Sequence, residues 1–126
     1  KAGDAAALAV VGYGAPKGLT AELKVTPKKV AIGGSVTLDL ELRSSATKGQ
    51  DLLVDYAVHY VRKRGATSPK VFKWTTTKLP ARGEIALRKR HALRLTSIRA
   101  LYPGRHLVTV QVNGTDVATA HFTLTA

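Results

Sequence analysis

Apolar residues stand at every second position through most of the chain after residue 18. In "SVTLDLEL" (35–42), one valine and three leucines share the even-numbered face, while Asp39 and Glu41 fall on the other. Successive side chains of a β-strand point to opposite faces of a sheet, so this period of two indicates strands with one buried face. We therefore expect paired strands whose apolar faces cover one another.

The same pattern predicts about seven strands joined by turns. The predicted strands are "LTAELKV" (19–25), "SVTLDLEL" (35–42), "LLVDYAVHYV" (52–61), "KVFKWTT" (70–76), "EIALRKRHALRL" (84–95), "HLVTVQV" (106–112) and "TDVATAHFTL" (115–124). Gly65, Ser68 and Pro69 are expected in a loop, and Asn113 and Gly114 in a hairpin turn with positive φ. Short strands at regular spacing are typical of an antiparallel β-sandwich.

One corner supports a particular kind of sandwich. The segment "LYPGRHLVTVQV" (101–112) resembles the entry to the sixth strand in fibronectin type III and other immunoglobulin-like domains, with His106 where a tyrosine usually stands. The predicted fold class is thus all-β, an immunoglobulin-like or fibronectin type III-like antiparallel sandwich of about seven strands.

The first 18 residues differ in composition from the rest. "KAGDAAALAVVGYG" (1–14) is rich in alanine, which favours a helix through Val11, and glycines then interrupt it. We interpret residues 1–18 as the end of a preceding helical domain with a flexible linker, and residues 19–126 as the sandwich.

Composition bounds the setting of the protein. The chain has no cysteine, and its apolar run "AAALAVV" (5–11) is far shorter than the roughly 18 residues of a membrane span. We expect a monomeric cytoplasmic protein without membrane contact.

The positive charge is concentrated in one third of the sequence. The net charge is +12, and the segment from Arg62 to Arg105 holds thirteen lysines and arginines but a single acid, Glu84. The remaining residues are balanced, with seven basic and seven acidic side chains. This asymmetry indicates a surface for a polyanion, with nucleic acid favoured over acidic membrane or polysaccharide.

Within that third, the predicted strand 85–95 places Arg88, Arg90 and Arg94 on one face. Neighbours on one face of a strand lie about 6.8 Å apart, which resembles the axial spacing of two phosphates along one DNA strand. The alternative is an exposed sheet that the arginines merely solvate. Lys89 and His91 interrupt the apolar face, which predicts a bulge or a change of sheet there.

The segment "RKRGATSPKVFKW" (62–74) combines basic and aromatic residues. Such a mixture can bind nucleic acid through charge and stacking. We interpret Phe72 and Trp74, which share a face, as core residues, and keep only the basic residues as contacts.

No arrangement of residues indicates catalysis. Asp39 and Glu41 are interpreted as a solvated strand face rather than a carboxylate pair, and the four histidines lack the spacing of a metal site. We expect no catalytic residue, no metal and no cofactor in this chain.

The segments "DYAVHYVRKRG", "TSPKVFK", "LRKRH" and "YPGRH" resemble the C-terminal immunoglobulin-like domain of bacterial HEAT-like-repeat DNA alkylation repair proteins, the alkylpurine DNA glycosylases. The resemblance implies that helical repeats of a longer chain carry the catalytic residues, and that this domain closes on duplex DNA from the other side. It implies an accessory, duplex-clamping role in base-excision repair of N-alkylated purines, and association with the bacterial nucleoid during repair.

Together, these arguments select eleven candidate DNA contacts. They are Arg62, Lys63, Arg64, Lys70, Lys73, Arg88, Arg90, Arg94, Arg99, Arg105 and His106. The alternative function is an immunoglobulin-like adhesion module whose basic face binds an acidic glycan or a partner protein.

Overall fold

A computed structural model describes residues 14–63, 65–94 and 101–126 of the chain. These residues contain eight strands: β1 (Leu19–Thr26), β2 (Lys29–Ala31), β3 (Ser35–Ser44), β4 (Gln50–Val61), β5 (Thr67–Leu79), β6 (Glu84–Ala92), β7 (Gly104–Val112) and β8 (Thr115–Thr125). The predicted helix end falls on residues 1–13, outside the described part. No helix in the described ranges has the length and apolarity to cross a membrane.

The strands form two sheets with the orders β1-β3-β6 and β2-β8-β7-β4-β5. All described pairings are antiparallel except that of β2 with β8. The predicted all-β sandwich is confirmed. The additional strand is β2, whose three residues are too short to show an alternating pattern.

The core lies between the sheets and contains the apolar face of every long strand. Val36, Leu38, Leu40 and Leu42, the apolar even-numbered residues of β3, are each no more than 1% exposed. Fully burying such a side chain contributes roughly 1.5–3 kcal/mol to stability. Tyr56 of β4 and Phe122 of β8 are also buried, so the alternation in the sequence corresponds to the real inner faces.

Three local predictions differ from the structure. Strand β5 begins at Thr67, so Ser68 and Pro69 lie in a strand rather than in a loop. Proline is tolerated there because β5 is the outermost strand of its sheet, where a missing N–H breaks no ladder. The expected bulge at Lys89 and His91 is also wrong, since β6 pairs with β3 in unbroken register.

The third difference concerns the end of β6. This strand stops at Ala92 rather than at residue 95, and Leu93 folds into the core with 1% exposure. Its backbone pairs instead with the turn before β3, because Leu93 N–H donates to Gly34 O and Leu93 O accepts from Gly33 N–H. The register shifts of the described sheets lie elsewhere, after Val54 and after Val110.

The predicted hairpin turn is confirmed. Asn113 and Gly114, between β7 and β8, have φ angles of 51° and 82°. Asparagine and glycine are the residues that adopt positive φ most readily, which is why this dipeptide reverses the chain here.

Candidate nucleic-acid interface

The strand directions bring four chain segments to one end of the sandwich. Strand β4 ends at Val61 and β5 returns from Thr67, while β7 begins opposite the end of β4, with Leu107 facing His59. The C-terminal residues of β6 lie at the same end of the sandwich, because the His91 ring forms a hydrogen bond with the hydroxyl of Tyr60 in β4 at 3.0 Å. Residues that are up to 43 positions apart in sequence, Arg62 and Arg105, thus share one end.

We call this end the basic end and define it by the described lysines and arginines of these four segments. They are Arg62, Lys63, Lys70, Lys89, Arg90, Arg94 and Arg105. All of these side chains are exposed except that of Lys89, which is half-buried. Lys89 was not among the predicted contacts because its odd-numbered position pointed to the core. Strand β6 is an outermost strand of its sheet, where an inward-facing side chain such as that of Lys89 still reaches water.

The acidic residues lie away from the basic end. Asp51, Glu84 and Asp116 stand at strand starts at the opposite end, and the other four described carboxylates lie within strands. None of the seven described acids is in a loop or in a terminal strand residue of the basic end. The basic residues that cluster in the sequence therefore also cluster at one end of the folded domain, where they attract anions and raise the local anion concentration.

The arginines of β6 have partners that the sequence did not reveal. Arg88 Nε lies 2.7 Å from Asp39 Oδ1 on β3, and Arg90 Nε donates to Ser35 Oγ at 2.9 Å. The outer face of this sheet carries four basic and four acidic side chains, namely Lys24, Arg43, Arg88 and Arg90 with Glu22, Asp39, Glu41 and Glu84. The arginine row therefore has acidic neighbours, which come from β3, from β1 and from the first residue of β6.

Arg94 does not continue this row. It follows the end of β6 and is exposed. The three arginines that an eleven-residue strand would have aligned are therefore divided between a strand face and the loop after it. Arg94 still belongs to the basic end.

His106 must be removed from the candidate contacts. Its side chain is 0% exposed, and its ring stacks on Phe122 with 5.2 Å between centroids. Nδ1 lies 3.1 Å from Gly104 O and Nε2 lies 3.5 Å from Val61 N, so one neutral tautomer donates to the first and accepts from the second. Burial lowers the pKa of this histidine, which further favours the uncharged ring. An outside anion cannot reach it.

His91 is the second histidine inside the sandwich. Its Nδ1 lies 2.9 Å from the hydroxyl of Tyr56, and its Nε2 lies 3.0 Å from that of Tyr60. Burial, assisted by the charge of Lys89, lowers the pKa of His91 to about 4. A neutral ring bonded on both nitrogens explains how a histidine occupies an inward position of β6 without a bulge.

The aromatic residues of β5 pack against His91 and its partner Tyr56. The ring centroid of Phe72 is 5.2 Å from that of Tyr56 and 4.8 Å from that of His91, and Trp74 meets Tyr56 edge to face at 5.8 Å. Both are half-buried against the core, which confirms their interpretation as core residues. The ammonium of Lys70 lies 5.6 Å from the Phe72 ring centre, and this cation–π contact holds Lys70 beside the edge.

The remaining predicted contacts have different positions. Lys73 is exposed on the outer face of β5, where it faces Asp55 of β4. Arg105, at the start of β7, lies 3.3 Å from His121 Nδ1 through its Nη2. Arg64 and Arg99 are outside the described residues. In the described ranges, no three histidine or acidic side chains are grouped as a metal would require.

The fold and the basic end together define an immunoglobulin-like domain with a surface suited to a polyanion. A family model described as the C-terminal Ig-like domain of the uncharacterised protein YhaZ matches residues 19–126. The chain belongs to this family. It is 30% identical over 115 residues to the uncharacterized protein YhaZ of Bacillus subtilis strain 168, covering 90% of this chain and 32% of that one.

A solved structure is more similar still. The alkylpurine DNA glycosylase AlkC of Pseudomonas fluorescens, bound to DNA containing an abasic site analog, matches with a TM-score of 0.90 and 38% identity. The match covers 98% of this chain and 35% of AlkC, which confirms the family resemblance found in the sequence. The chain spans about a third of the length of both relatives. A β-glucosidase from Listeria innocua, with a TM-score of 0.65 and 16% identity, shares the fold alone.

Proposed function

We propose that this chain is the DNA-binding accessory domain of a larger base-excision repair enzyme that removes N-alkylated purines. The observation that carries the proposal is the basic end, where seven described lysines and arginines from four chain segments meet without a carboxylate. The similarity of nearly the whole chain to part of a glycosylase solved on DNA supports the choice of partner.

The proposed role is to hold duplex DNA through its phosphates. Lysine and arginine bind phosphate oxygens regardless of base sequence, and each neutralised phosphate releases condensed counterions. In this proposal catalysis belongs to helical repeats elsewhere in the longer protein. A domain that holds the duplex in this way adds affinity and orients the DNA, while the damaged base is recognised by another part of the longer protein.

The expected affinity and its salt dependence follow from the number of phosphates that the basic end neutralises. If about five phosphates are neutralised, the dissociation constant should lie at roughly 10⁻⁴ to 10⁻⁶ M near physiological salt. A plot of log affinity against log salt should then have a slope near −4.5. Binding should not depend on base sequence.

The test compares two triple variants of the 126-residue chain on duplex DNA. The first, Arg62→Gln with Lys63→Gln and Arg94→Gln, removes three exposed charges from the basic end. The second, Lys17→Gln with Lys48→Gln and Arg82→Gln, removes three exposed charges from the opposite end. If the first group contacts phosphates, its salt slope should flatten by about 2.7, and that of the control by far less.

Two outcomes would overturn the proposal. Equal losses in the two variants would show attraction by net charge without a defined surface. Tighter binding to a sulfated glycan than to duplex DNA, with the same residues required, would favour an adhesion module instead.

A further inference from the structure

Residues 14–18, which the sequence predicts to be a flexible linker, are bonded to the sandwich. Gln50, the first residue of β4, accepts from Lys17 N–H through Oε1 at 2.9 Å and donates to Lys17 O through Nε2 at 2.7 Å. One side-chain amide thus pairs with both backbone groups of one residue, as a neighbouring strand would. Ser45 N–H also donates to Gly18 O at 2.9 Å.

Asn113 bonds to the same segment three residues earlier, at Gly14. Its side chain is only 4% exposed and uses its oxygen and its NH₂ group together. Oδ1 accepts from Leu53 N–H at 2.8 Å, while Nδ2 donates to Gly14 O at 2.8 Å and to Asp51 O at 3.3 Å. The turn residue of the β7–β8 hairpin therefore joins β4 to the entering chain.

We propose that Asn113 and Gln50 form a clamp that makes residues 14–18 a rigid joint and fixes the direction in which the chain enters the sandwich. The two side chains form hydrogen bonds with backbone groups three residues apart, at Gly14 and Lys17. The segment therefore cannot rotate about a single point of contact. The Asn113 bond to Gly14 is part-buried and costly to break, because each freed group must find a new partner, whereas the Gln50 bonds are exposed and act by pairing both backbone groups of Lys17 at once.

The clamp lies at the end of the sandwich opposite the basic end. Strand β4 runs from Gln50 to Val61, which corresponds to roughly 35 Å at about 3.3 Å per residue. If the basic end contacts DNA, as proposed above, a rigid joint holds that end at one place relative to the part of a longer protein that precedes Gly14. A preset position lowers the ordering cost of binding and raises the effective concentration of the second contact.

The test uses two spin labels in the 126-residue chain, which has no native cysteine. Ala15→Cys reports on the joint, and Thr67→Cys at the start of β5 reports on the basic end; both residues are exposed. We expect one narrow distance distribution, centred at roughly 35 Å from the strand rise. Combining Asn113→Asp with Gln50→Ala should broaden it severalfold.

The variants are chosen so that the sandwich stays folded. Aspartate at position 113 suits the same turn and still accepts from Leu53 N–H, but it cannot donate to Gly14 O. Gln50→Ala alone removes the two bonds to Lys17 and leaves the Asn113 bond to Gly14 in place. Gln111→Ala is the matched control, since its amide bonds to Asp116 in the same hairpin and touches nothing in the joint.

The outcomes separate this inference from the proposed function. A broad distribution in the unmodified chain, or an equally narrow one in the clamp variants, would overturn the clamp. DNA affinity of the same samples should not change, because the clamp is at the far end. A narrow distribution in a chain that does not bind DNA would leave the clamp standing and overturn only the DNA role.

Discussion

Arg88 of β6 and Asp39 of β3 form an ion pair across the three-stranded sheet, with 2.7 Å between Nε and Oδ1. The arginine side chain remains 76% exposed. An exposed pair of this kind contributes little to folding, since water screens both charges. If the chain binds DNA as we propose, the pair has a larger effect on binding, because Asp39 both occupies Arg88 and repels a phosphate that approaches it.

The first prediction concerns this carboxylate. Asp39→Asn should strengthen binding to duplex DNA and steepen the salt slope by about 0.9 if Arg88 then contacts one more phosphate. The urea midpoint of the chain should hardly change. Fluorescence anisotropy at several salt concentrations measures both affinity and slope.

The control for Asp39→Asn is Asp51→Asn. This change removes the same charge at the opposite end and breaks a comparable pair, in which Lys78 Nζ is 3.1 Å from Asp51 Oδ1. Equal gains in affinity from the two variants would contradict a role for Arg88 and indicate net charge alone.

The second prediction concerns acid stability. Because the folded state lowers the pKa of His91 from 6.5 to about 4, the unfolded chain takes up the extra proton first as the pH falls. The contribution of His91 to stability should therefore be constant above about pH 6.5 and decrease by about 3 kcal/mol towards pH 4, as each pKa unit corresponds to 1.36 kcal/mol. Urea unfolding at a series of pH values measures it.

The comparison for His91 is His91→Phe. This variant should be less stable at neutral pH, since the hydroxyls of Tyr56 and Tyr60 lose their shared partner, but its stability should fall less between pH 6.5 and 4. His106, whose pKa is also lowered, contributes in the same direction, and Asp55, whose pKa burial raises, contributes in the opposite direction. Parallel pH profiles for the two proteins would exclude His91 as the cause.

The third prediction concerns the corner where β7 begins. His106→Phe keeps the stacking on Phe122 but leaves Gly104 O and Val61 N–H without the imidazole, so we expect a loss of about 1–3 kcal/mol. DNA affinity and salt slope should be unchanged while the domain is folded. A variant that folds normally but binds DNA less well would return His106 to the interface.

The periodicity of the sequence was sufficient to predict the sandwich, because the buried and exposed faces of each strand appear directly as alternating apolar and polar residues. The even-numbered residues of β3 were placed on the inner face correctly for this reason. A three-residue strand such as β2 leaves no such record, and Pro69 misled the assignment of β5 because its tolerance depends on an edge position in the sheet.

The site was less accessible to sequence reasoning because its contacts cross between strands. Asp39 and Arg88 are 49 residues apart, and Tyr56 and His91 are 35 apart, so neither pair leaves a local pattern. The concentration of charge in one third of the chain did indicate a basic surface. The strand directions then determined which of those residues share an end.

Strand β5 is an outermost strand of its sheet over 13 residues, and a backbone edge of that length can accept a strand from another molecule. Pro69 offers no N–H there, Lys70, Lys73 and Lys78 carry like charges along it, and the register shift opposite Val54 interrupts its regular spacing. If the chain binds DNA as we propose, copies that lie side by side on one duplex would bring like charges together at this edge. They are expected to bind and leave as single molecules rather than to grow into a joined sheet.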